Sequence, residues 1–404
     1  MTNLALAEFT CPKRMEYGPC GGVEFDGSCE VSEHRCVFVD ASTVRWHGDV
    51  RGGPVSAAGG ARGSGDGARG GGDGEDLADG RVAGVGASAL RALLGERQIV
   101  VADFPARALD VASLEECAGV LAGRVDAVLA GDSGAERVQF SPTYRAALIQ
   151  GLGLPVWSGV NCRDRNRVAI EGELAGLAAV GVAAVHCVTG DHTLTGGRPD
   201  ALPVFDVDST RVAALARSAG HLVSVGESPA TPPVGERAAR LVEKEKAGAE
   251  IAFVNHAGGV EPVARFIAEV RRLEAEAGLR VAGPDASGPD AGGAGGRSPS
   301  SGAAGGGGLR FIACVPVVVD RGSAELLRTF TTLVLPDGYL DRILGADDVY
   351  AEGIRAAVEF SRGLLAIDGV VGVNLSGGPE RGREVFFAEA LAQISEGVGV
   401  RTGD

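Results

Sequence analysis

Eight short apolar runs, rich in β-branched residues and separated by longer amphipathic stretches, constrain the fold more than any other feature. The runs are residues 99–104, 127–130, 155–160, 184–189, 221–225, 251–255, 309–316 and 370–375. A helix-patterned stretch, such as 167–180 or 263–275, follows each of the first seven. Strands that alternate with helices form a parallel sheet, and a count of eight predicts an α/β fold of the closed (β/α)₈ or TIM-barrel type. An open doubly wound sheet is the alternative, although no Gly-x-Gly-x-x-Gly turn follows the first run.

Length and charge limit the function classes. The 404 residues exceed the roughly 250 of a typical barrel, which leaves room for a small extra module. The formal net charge is −15, whereas proteins that bind nucleic acid are more often basic. No apolar run approaches the roughly 18 residues of a membrane helix, and the N-terminus lacks the pattern of a signal peptide. We therefore expect a cytoplasmic protein without nucleic-acid or membrane partners.

Composition divides the chain into three parts. Residues 1–48, called the cysteine module below, are rich in cysteine and glycine. Residues 49–85 contain few large apolar side chains and are predicted to be a disordered linker, because such a segment cannot bury enough surface to offset its ordering entropy. Residues 86–404 form the barrel domain. Within them, the Gly-rich stretch 283–308 is predicted to be a disordered insertion at the face opposite the active site, since it precedes the seventh strand.

Four of the eight cysteines lie within the first 36 residues, at Cys11, Cys20, Cys29 and Cys36. Thiolates are strong ligands for zinc and for iron–sulfur clusters. Without a secretion signal, a disulfide framework is the poorer interpretation. The sequence predicts a metal site at these four residues. Zinc is preferred to an iron–sulfur cluster, and free thiols are the remaining alternative.

Three stretches of the barrel region carry a family resemblance. They are Asn-Cys-Arg-Asp-Arg-Asn-Arg at 161–167, Ala-Val-His-Cys-Val-Thr-Gly-Asp-His at 184–192 and Pro-Val-Phe-Asp-Val-Asp-Ser at 203–209. With them, residues 98 to 394 resemble the methylenetetrahydrofolate reductase family. The cysteine module resembles the small module that accompanies this family, usually at its C-terminal side. The resemblance implies a (β/α)₈ barrel that holds FAD and a folate.

The resemblance assigns roles to two strand-end residues. Asp103 matches a glutamate that acts as general acid toward the folate, and Asn255 matches a glutamine that binds the folate. Each side chain is one methylene shorter than its counterpart in the family, and a displacement on this scale can cost about 10²-fold in rate. The alternatives are a solvated strand-end aspartate and a turn asparagine.

The resemblance also assigns the flavin site. Asp191 matches an aspartate beside the flavin, where a charge tunes the cofactor, and a turn or helix-capping role is the alternative. The loop residues implied with it are Thr189, Gly190 and His192. Arg163, Asp164 and Arg165 suit a pyrophosphate, since arginine forks bind phosphates, but a structural arginine–aspartate network is the alternative. Lys244 matches a lysine that contacts FAD; an exposed helix lysine is the alternative.

The implied activity is reduction of 5,10-methylenetetrahydrofolate to 5-methyltetrahydrofolate, a step of one-carbon metabolism and methionine biosynthesis, with NADH or NADPH and through bound FAD. One alternative is a reductase without flavin, in which the nicotinamide transfers its hydride directly. Another is a folate-binding paralogue that has lost efficient catalysis and acts with a partner protein. In that case the cysteine module docks another subunit or relays electrons. A homo-oligomer is compatible with each reading.

Overall fold

The computed structural model describes residues 11–48, 85–132, 136–279, 308–330 and 332–400. Eight parallel strands close into a barrel in the order β10-β3-β4-β5-β6-β7-β8-β9. The strands are β3 (Ile99–Asp103), β4 (Ala127–Ala130), β5 (Val156–Asn161), β6 (Ala184–Val188), β7 (Val223–Glu227), β8 (Ile251–Val254), β9 (Arg310–Pro316) and β10 (Val370–Ser376). The predicted (β/α)₈ barrel is therefore confirmed, and every strand begins and ends within two residues of its predicted limits.

Helices surround the barrel. They are α1 (Val85–Glu96), α2 (Val111–Leu121), α3 (Pro142–Gly151), α4 (Arg167–Ala179), α5 (Ser209–Ser218), α6 (Arg237–Lys246), α7 (Val260–Glu276), α8 (Arg321–Arg328), α9 (Tyr339–Leu344), α10 (Val349–Leu365) and α11 (Glu384–Val398). Several begin at a capping side chain, as at Asp110, Asn166 and Asp348, each of which accepts a hydrogen bond from a first-turn amide. None of the described helices combines the length and apolarity that a membrane crossing requires.

Helix α1 closes the amino-terminal end of the barrel, and the sequence analysis did not assign it. Its Leu90 and Leu94 are buried against the interior residues Ile99 and Leu222. Outside the barrel, aliphatic side chains of the strands pack against the surrounding helices. The interior is therefore sealed at one end, and the opposite, carboxyl end of the strands is the open face.

Aromatic and polar side chains share the middle of the barrel. Trp157 is fully buried and its ring lies edge-on to Phe253, with centroids 5.0 Å apart. The Trp157 indole N–H donates to Ser224 Oγ at 2.8 Å, and Nδ1 of His186 lies 2.9 Å from the same oxygen. A single serine thus satisfies two buried rings, which allows polar groups inside an otherwise apolar layer.

The described part of the cysteine module, residues 11–48, contains a short antiparallel ribbon, β1 (Ser28–Cys29) with β2 (Ser32–Arg35). The predicted linker lies outside the described residues except for residue 85, which begins α1. The predicted insertion lies outside them except for residue 308. The described residues before the insertion follow α7, and those after it lead into β9. Arg310 N, at the start of β9, donates to Glu250 O, which directly precedes β8. This is the amino-terminal end of the barrel.

Candidate functional site

A cleft of about 330 Å³, called the barrel cleft below, opens at the carboxyl ends of β4 to β8. Among the glycines that line it, Gly131, Gly159 and Gly226 lie in or directly after barrel strands. A Cβ atom on Gly159 would lie 2.9 Å from the Cα of Gly131, so no larger residue fits there without movement. The absence of side chains at these three strand ends is what keeps the cleft open.

Asp103 lies at the end of β3 on this face. Its Oδ1 accepts a hydrogen bond from Asn374 Nδ2 at 2.9 Å, and its Oδ2 accepts one from the Gly377 N–H at 3.1 Å. Burial is the largest influence and raises the pKa of Asp103, while these hydrogen bonds oppose the rise. The structure therefore holds a carboxyl group in fixed orientation, and burial shifts its pKa upward, in the direction that a general acid needs.

Asp103 and Asn255 belong to one row of side chains across the barrel mouth, called the polar row below. Cys314 Sγ donates to Asn255 Oδ1 at 3.6 Å and lies 4.0 Å from Asn374 Nδ2, which in turn binds Asp103. Asn255 Nδ2 donates to Ser228 Oγ at 2.9 Å. The row thus runs from β3 through β10 and β9 to the end of β8 and joins two residues that the sequence predicted separately.

Sequence reasoning missed Cys314 and Asn374. Each is the single polar or thiol-bearing residue near the end of an apolar run, at 309–316 and at 370–375. Alternation along the strands was the signal that could have found them, because Ile312 and Cys314 share the barrel-facing set while Val315 packs outward.

The Gly-Asp loop after β6 is divided between the cleft and the cysteine module. Thr189, Gly190 and Asp191 line the cleft, and the Asp191 side chain is 59% exposed. Gly190 has φ +86°, a conformation that favours glycine. The His192 N–H donates instead to Glu30 Oε1 of the cysteine module at 3.1 Å, and its ring Nδ1 accepts from Leu194 N. His192 therefore anchors the module, and burial lowers its pKa.

The arginines after β5 form the arginine–aspartate network that was one of the two sequence interpretations. Arg163 is buried, and its Nη2 lies 3.2 Å from Asp132 Oδ2 and 3.3 Å from Asp164 Oδ2. Arg165 Nη1 lies 3.0 Å from Asp164 Oδ1. Arg163 and Asp132 line the cleft. Carboxylates of this loop and of the segment after β4 therefore pair with both arginines.

Lys244 belongs to a buried charge cluster. Its Nζ donates to Glu227 Oε2 at 2.8 Å, Arg237 Nη1 donates to Glu227 Oε1 at 3.0 Å, and Arg240 Nε lies 3.8 Å from the same carboxylate. Burial alone would raise the pKa of Glu227, but the three cations outweigh it and lower that pKa to about 2. Burial lowers the pKa of Lys244 to about 8 in spite of Glu227. The exposed-lysine interpretation is therefore wrong.

The same cluster attaches the cysteine module to the barrel. Arg237 donates to the Cys20 carbonyl at 3.3 Å, and Arg240 donates to the Tyr17 carbonyl. The Tyr17 N–H donates to Asp208 Oδ2 at 3.2 Å, and Tyr17 is completely buried. The module therefore forms one wall of the barrel cleft, to which Cys20 contributes directly.

Cys11, Cys20, Cys29 and Cys36 line a second cavity of about 240 Å³, inside the module. All four are free thiols. Burial raises the pKa of Cys11 to about 11, with smaller contributions from Cys20 and Cys36. Four thiols around one cavity match the donor chemistry of a zinc or iron–sulfur centre. Among the described residues, however, no three His, Cys, Asp or Glu side chains already form a metal-binding group.

The residues predicted for FAD do not fit its pyrophosphate as they are arranged. Arg163 and Arg165 share Asp164, and Lys244 is held by Glu227. The cysteine module occupies one side of the cleft, and the remaining volume is near the lower limit of about 300 Å³ for small-molecule sites.

Comparison with known proteins supports the sequence resemblance in two regions. Residues 3–47 match the family described as methylene-tetrahydrofolate reductase C terminal. The barrel is similar to the structure of an uncharacterized protein from Clostridium thermocellum that binds two copies of 5-methyl-5,6,7,8-tetrahydrofolic acid. The two are 10% identical with a TM-score of 0.51, and the match covers 76% of this chain and 99% of the other.

Weaker similarities complete the comparison. Oxaloacetate acetylhydrolase matches with 16% identity and a TM-score of 0.35 over 46% of this chain and 68% of the other. The structure of 2,3-dimethylmalate lyase matches with 14% identity and a TM-score of 0.38, over 72% of this chain and 80% of the other. No curated protein sequence matches the chain. The resemblance to the methylenetetrahydrofolate reductase family is thus confirmed: the chain has a segment similar to that family's C-terminal region at residues 3–47, ahead of a (β/α)₈ barrel.

Proposed function

We propose that this protein binds a reduced folate at the carboxyl end of its barrel and reduces the methylene bridge of that folate to a methyl group. One observation carries the proposal: the polar row places a half-buried carboxyl group, Asp103, and an exposed carboxamide, Asn255, on one face of the barrel mouth. The C. thermocellum protein, which is similar in fold and binds two copies of 5-methyl-5,6,7,8-tetrahydrofolic acid, supports the choice of a reduced folate as ligand.

The groups of the cleft match the polar edge of a pterin. That edge alternates N–H donors with a carbonyl and ring nitrogens, and a carboxamide such as Asn255 offers one donor and one acceptor to it. Burial lowers the pKa of His186 to about 3, so its ring is neutral and its Nε2 lies near the open floor at Gly226. We therefore assign the general-acid role to Asp103 rather than to His186.

The reaction needs one hydride and one proton. The bridge opens when the nitrogen that leaves the methylene carbon takes a proton, which we assign to Asp103, and the carbon then accepts a hydride. NADH or NADPH is the proposed hydride source, and FAD, if bound, would pass the hydride on. The cations predicted for the flavin are already paired with carboxylates, and flavin dependence stays a prediction.

We also propose that the cysteine module holds zinc through Cys11, Cys20, Cys29 and Cys36, with an iron–sulfur cluster as the alternative. The support is that all four thiols line one cavity. A module this small has little apolar core, and a metal commonly supplies the missing stability in such segments. The centre would then fix the wall of the cleft that contains Cys20.

A second candidate function is folate binding without efficient turnover, together with a partner protein. The observation that favours it is the position of the cysteine module, which covers part of the cleft through Arg237 and Arg240. A wall that restricts access suits a protein that holds its ligand for another component.

Turnover and binding distinguish the two candidates. The assay measures NADH or NADPH oxidation with methylenetetrahydrofolate under anaerobic conditions, with and without added FAD. Calorimetry gives the dissociation constant. Asp103→Asn should lower turnover by about 10²- to 10⁴-fold, the usual contribution of a general acid, with little change in affinity. The matched control is Asp347→Asn, at an exposed loop position, which should behave as wild type.

Each outcome has one meaning. Turnover that needs Asp103 supports the reductase, and its dependence on FAD decides the hydride route. Binding without turnover in the wild type selects the second candidate. Absence of folate binding refutes both.

A further inference from the structure

A second cavity lies at the barrel mouth, apart from the barrel cleft. It measures about 430 Å³ and is called the arginine cavity below. Four arginines line it: Arg107, Arg137, Arg198 and Arg381. They follow β3, β4, β6 and β10 respectively, so four loops from the carboxyl ends of the strands converge there. The arginine cavity therefore lies on the same face of the barrel as the cleft.

The charge of the arginine cavity opposes that of the whole chain. Among the described residues that line it, Asp110 and Glu136 are acidic and four are arginines, although the protein has a net charge of −15. Arg107 already pairs with Asp110 at 2.6 Å. Within the part of the chain that the structure describes, the exposed side chains of Arg198 and Arg381 make no ion pair. The cavity thus presents two guanidinium groups to an anionic ligand.

Apolar side chains share the cavity wall. Leu109 and Val138 both line it, and they are 54% and 49% exposed. Exposed aliphatic groups beside uncompensated arginines suit a ligand that combines a flat apolar part with carboxylates. A phosphate alone would leave the aliphatic surface unused.

The arginine cavity and the barrel cleft are adjacent. Arg137 lines the arginine cavity, and its Nη1 lies 3.8 Å from Oδ2 of Asp191, which lines the cleft. The Arg137 guanidinium is fixed, because its side chain is only 4% exposed and its Nη2 donates to Thr195 Oγ1 at 3.0 Å. The two spaces therefore meet at the Arg137–Asp191 pair.

We propose that the arginine cavity binds the benzoyl-glutamate half of a reduced folate, and in particular a tail of several glutamates, while the pterin lies in the barrel cleft. This inference rests on the proposed function. The aromatic ring of the ligand packs against Leu109 and Val138, and its carboxylates bind Arg198 and Arg381. The protein then selects folates by the length of their anionic tail, which makes this cavity a specificity site apart from the polar row.

The test compares ligands with and without the tail. Calorimetry measures the affinity for 5-methyltetrahydrofolate with one and with three glutamates, for a tetrahydropterin that lacks the tail, and for NADPH. The double variant Arg198→Gln, Arg381→Gln is compared with Arg265→Gln, Arg272→Gln. The control arginines lie on α7, more than half exposed, and change the net charge equally.

In the wild type, the triglutamate should bind more tightly than the monoglutamate. The cavity variant should lose about threefold to tenfold in triglutamate affinity, the range expected when exposed ion pairs are removed. Its tetrahydropterin affinity should equal that of the control. A steeper dependence of triglutamate binding on salt in the wild type would add support.

Three results would overturn the inference while the proposed function stands. The first is equal triglutamate affinity in the two double variants. The second is an equal loss for the tailless pterin. The third is a loss confined to NADPH, which would assign the cavity to a phosphate. Failure of the wild type to bind any folate would instead refute the proposed function itself.

Discussion

Replacing Glu227 by Gln tests the buried charge cluster most sharply. The Glu227 side chain is only 2% exposed and is the carboxylate that Arg237, Arg240 and Lys244 share. Glutamine keeps the size and one hydrogen-bond acceptor but leaves three buried cations without their counter-charge. Removing one partner of a buried ion pair costs about 3 to 5 kcal/mol of unfolding free energy.

The lowered pKa of Glu227 gives a second value for the unfolding free energy that Glu227→Gln should lose. Its pKa falls from 4.5 to about 2, and at about 1.36 kcal/mol per unit this corresponds to roughly 3 kcal/mol. The sign follows from the lowered pKa: the stabilisation is complete above about pH 4.5 and is lost as the pH falls toward 2. The difference between variant and wild type should therefore shrink in that acidic range.

Urea unfolding, followed by tryptophan fluorescence, measures the loss. Trp46 reports on the cysteine module and Trp157 on the barrel interior. The control is Glu261→Gln, whose side chain is 83% exposed and pairs with Arg265 at 2.6 Å; it should cost at most about 1 kcal/mol. Because the cluster also holds the Cys20 carbonyl, thiols of the module should react faster with a thiol reagent in Glu227→Gln. Equal stability of the two variants would refute the reasoning.

The remaining predictions concern acid, the polar row and the metal. Burial lowers the pKa of His186 to about 3 and of His256 to about 4, so stability should fall as the pH drops below about 6.5, by about 2 kcal/mol for each ring at pH 5. When urea unfolding is measured at pH 7.5 and at pH 5, the loss of unfolding free energy between the two should be about half as large in His186→Gln as in the wild type. Cys314→Val should lower folate affinity about threefold to tenfold, because Asn255 and Asn374 lose the thiol that both contact. Cys314→Ser should bind folate as the wild type does, and calorimetry measures both affinities. Metal analysis should find about one zinc per chain in the wild type and in Cys117→Ser but much less in Cys20→Ser; equal zinc in all three would contradict the metal site.

Much of the fold was predictable because its signal is local. Each barrel strand is a short apolar run, and parallel strands that end in polar residues bring those residues to one face. Asp103 and Asn255 were singled out by the family resemblance, and the strand-end rule accounts for their presence on one face. Helix α1 was missed because it follows a long glycine-rich stretch and its Gly-Ala-Ser start at residues 86–88 carries little helical signal.

The parts of the site that were not predictable depend on tertiary contacts. Lys244 is buried because Glu227 lies 17 residues earlier at the end of β7, and no spacing rule joins a strand end to that helix position. Arg163 is compensated by Asp132, which belongs to a different strand end. The docking of the cysteine module on the barrel mouth joins residues nearly 200 positions apart, such as Tyr17 and Asp208. Only the folded chain shows that the module forms a wall of the cleft.

Binding of a reduced folate by the polar row is the central claim, and one titration tests it most directly. Calorimetry should compare 5-methyltetrahydrofolate binding by the wild type, by Asn255→Ala and by the exposed control Asp347→Asn. We predict that the wild type and the control bind with the same dissociation constant. The Asn255 variant should bind about tenfold more weakly, because the pterin edge loses a donor and an acceptor. Equal affinity in all three proteins, or no binding by the wild type, would contradict the account.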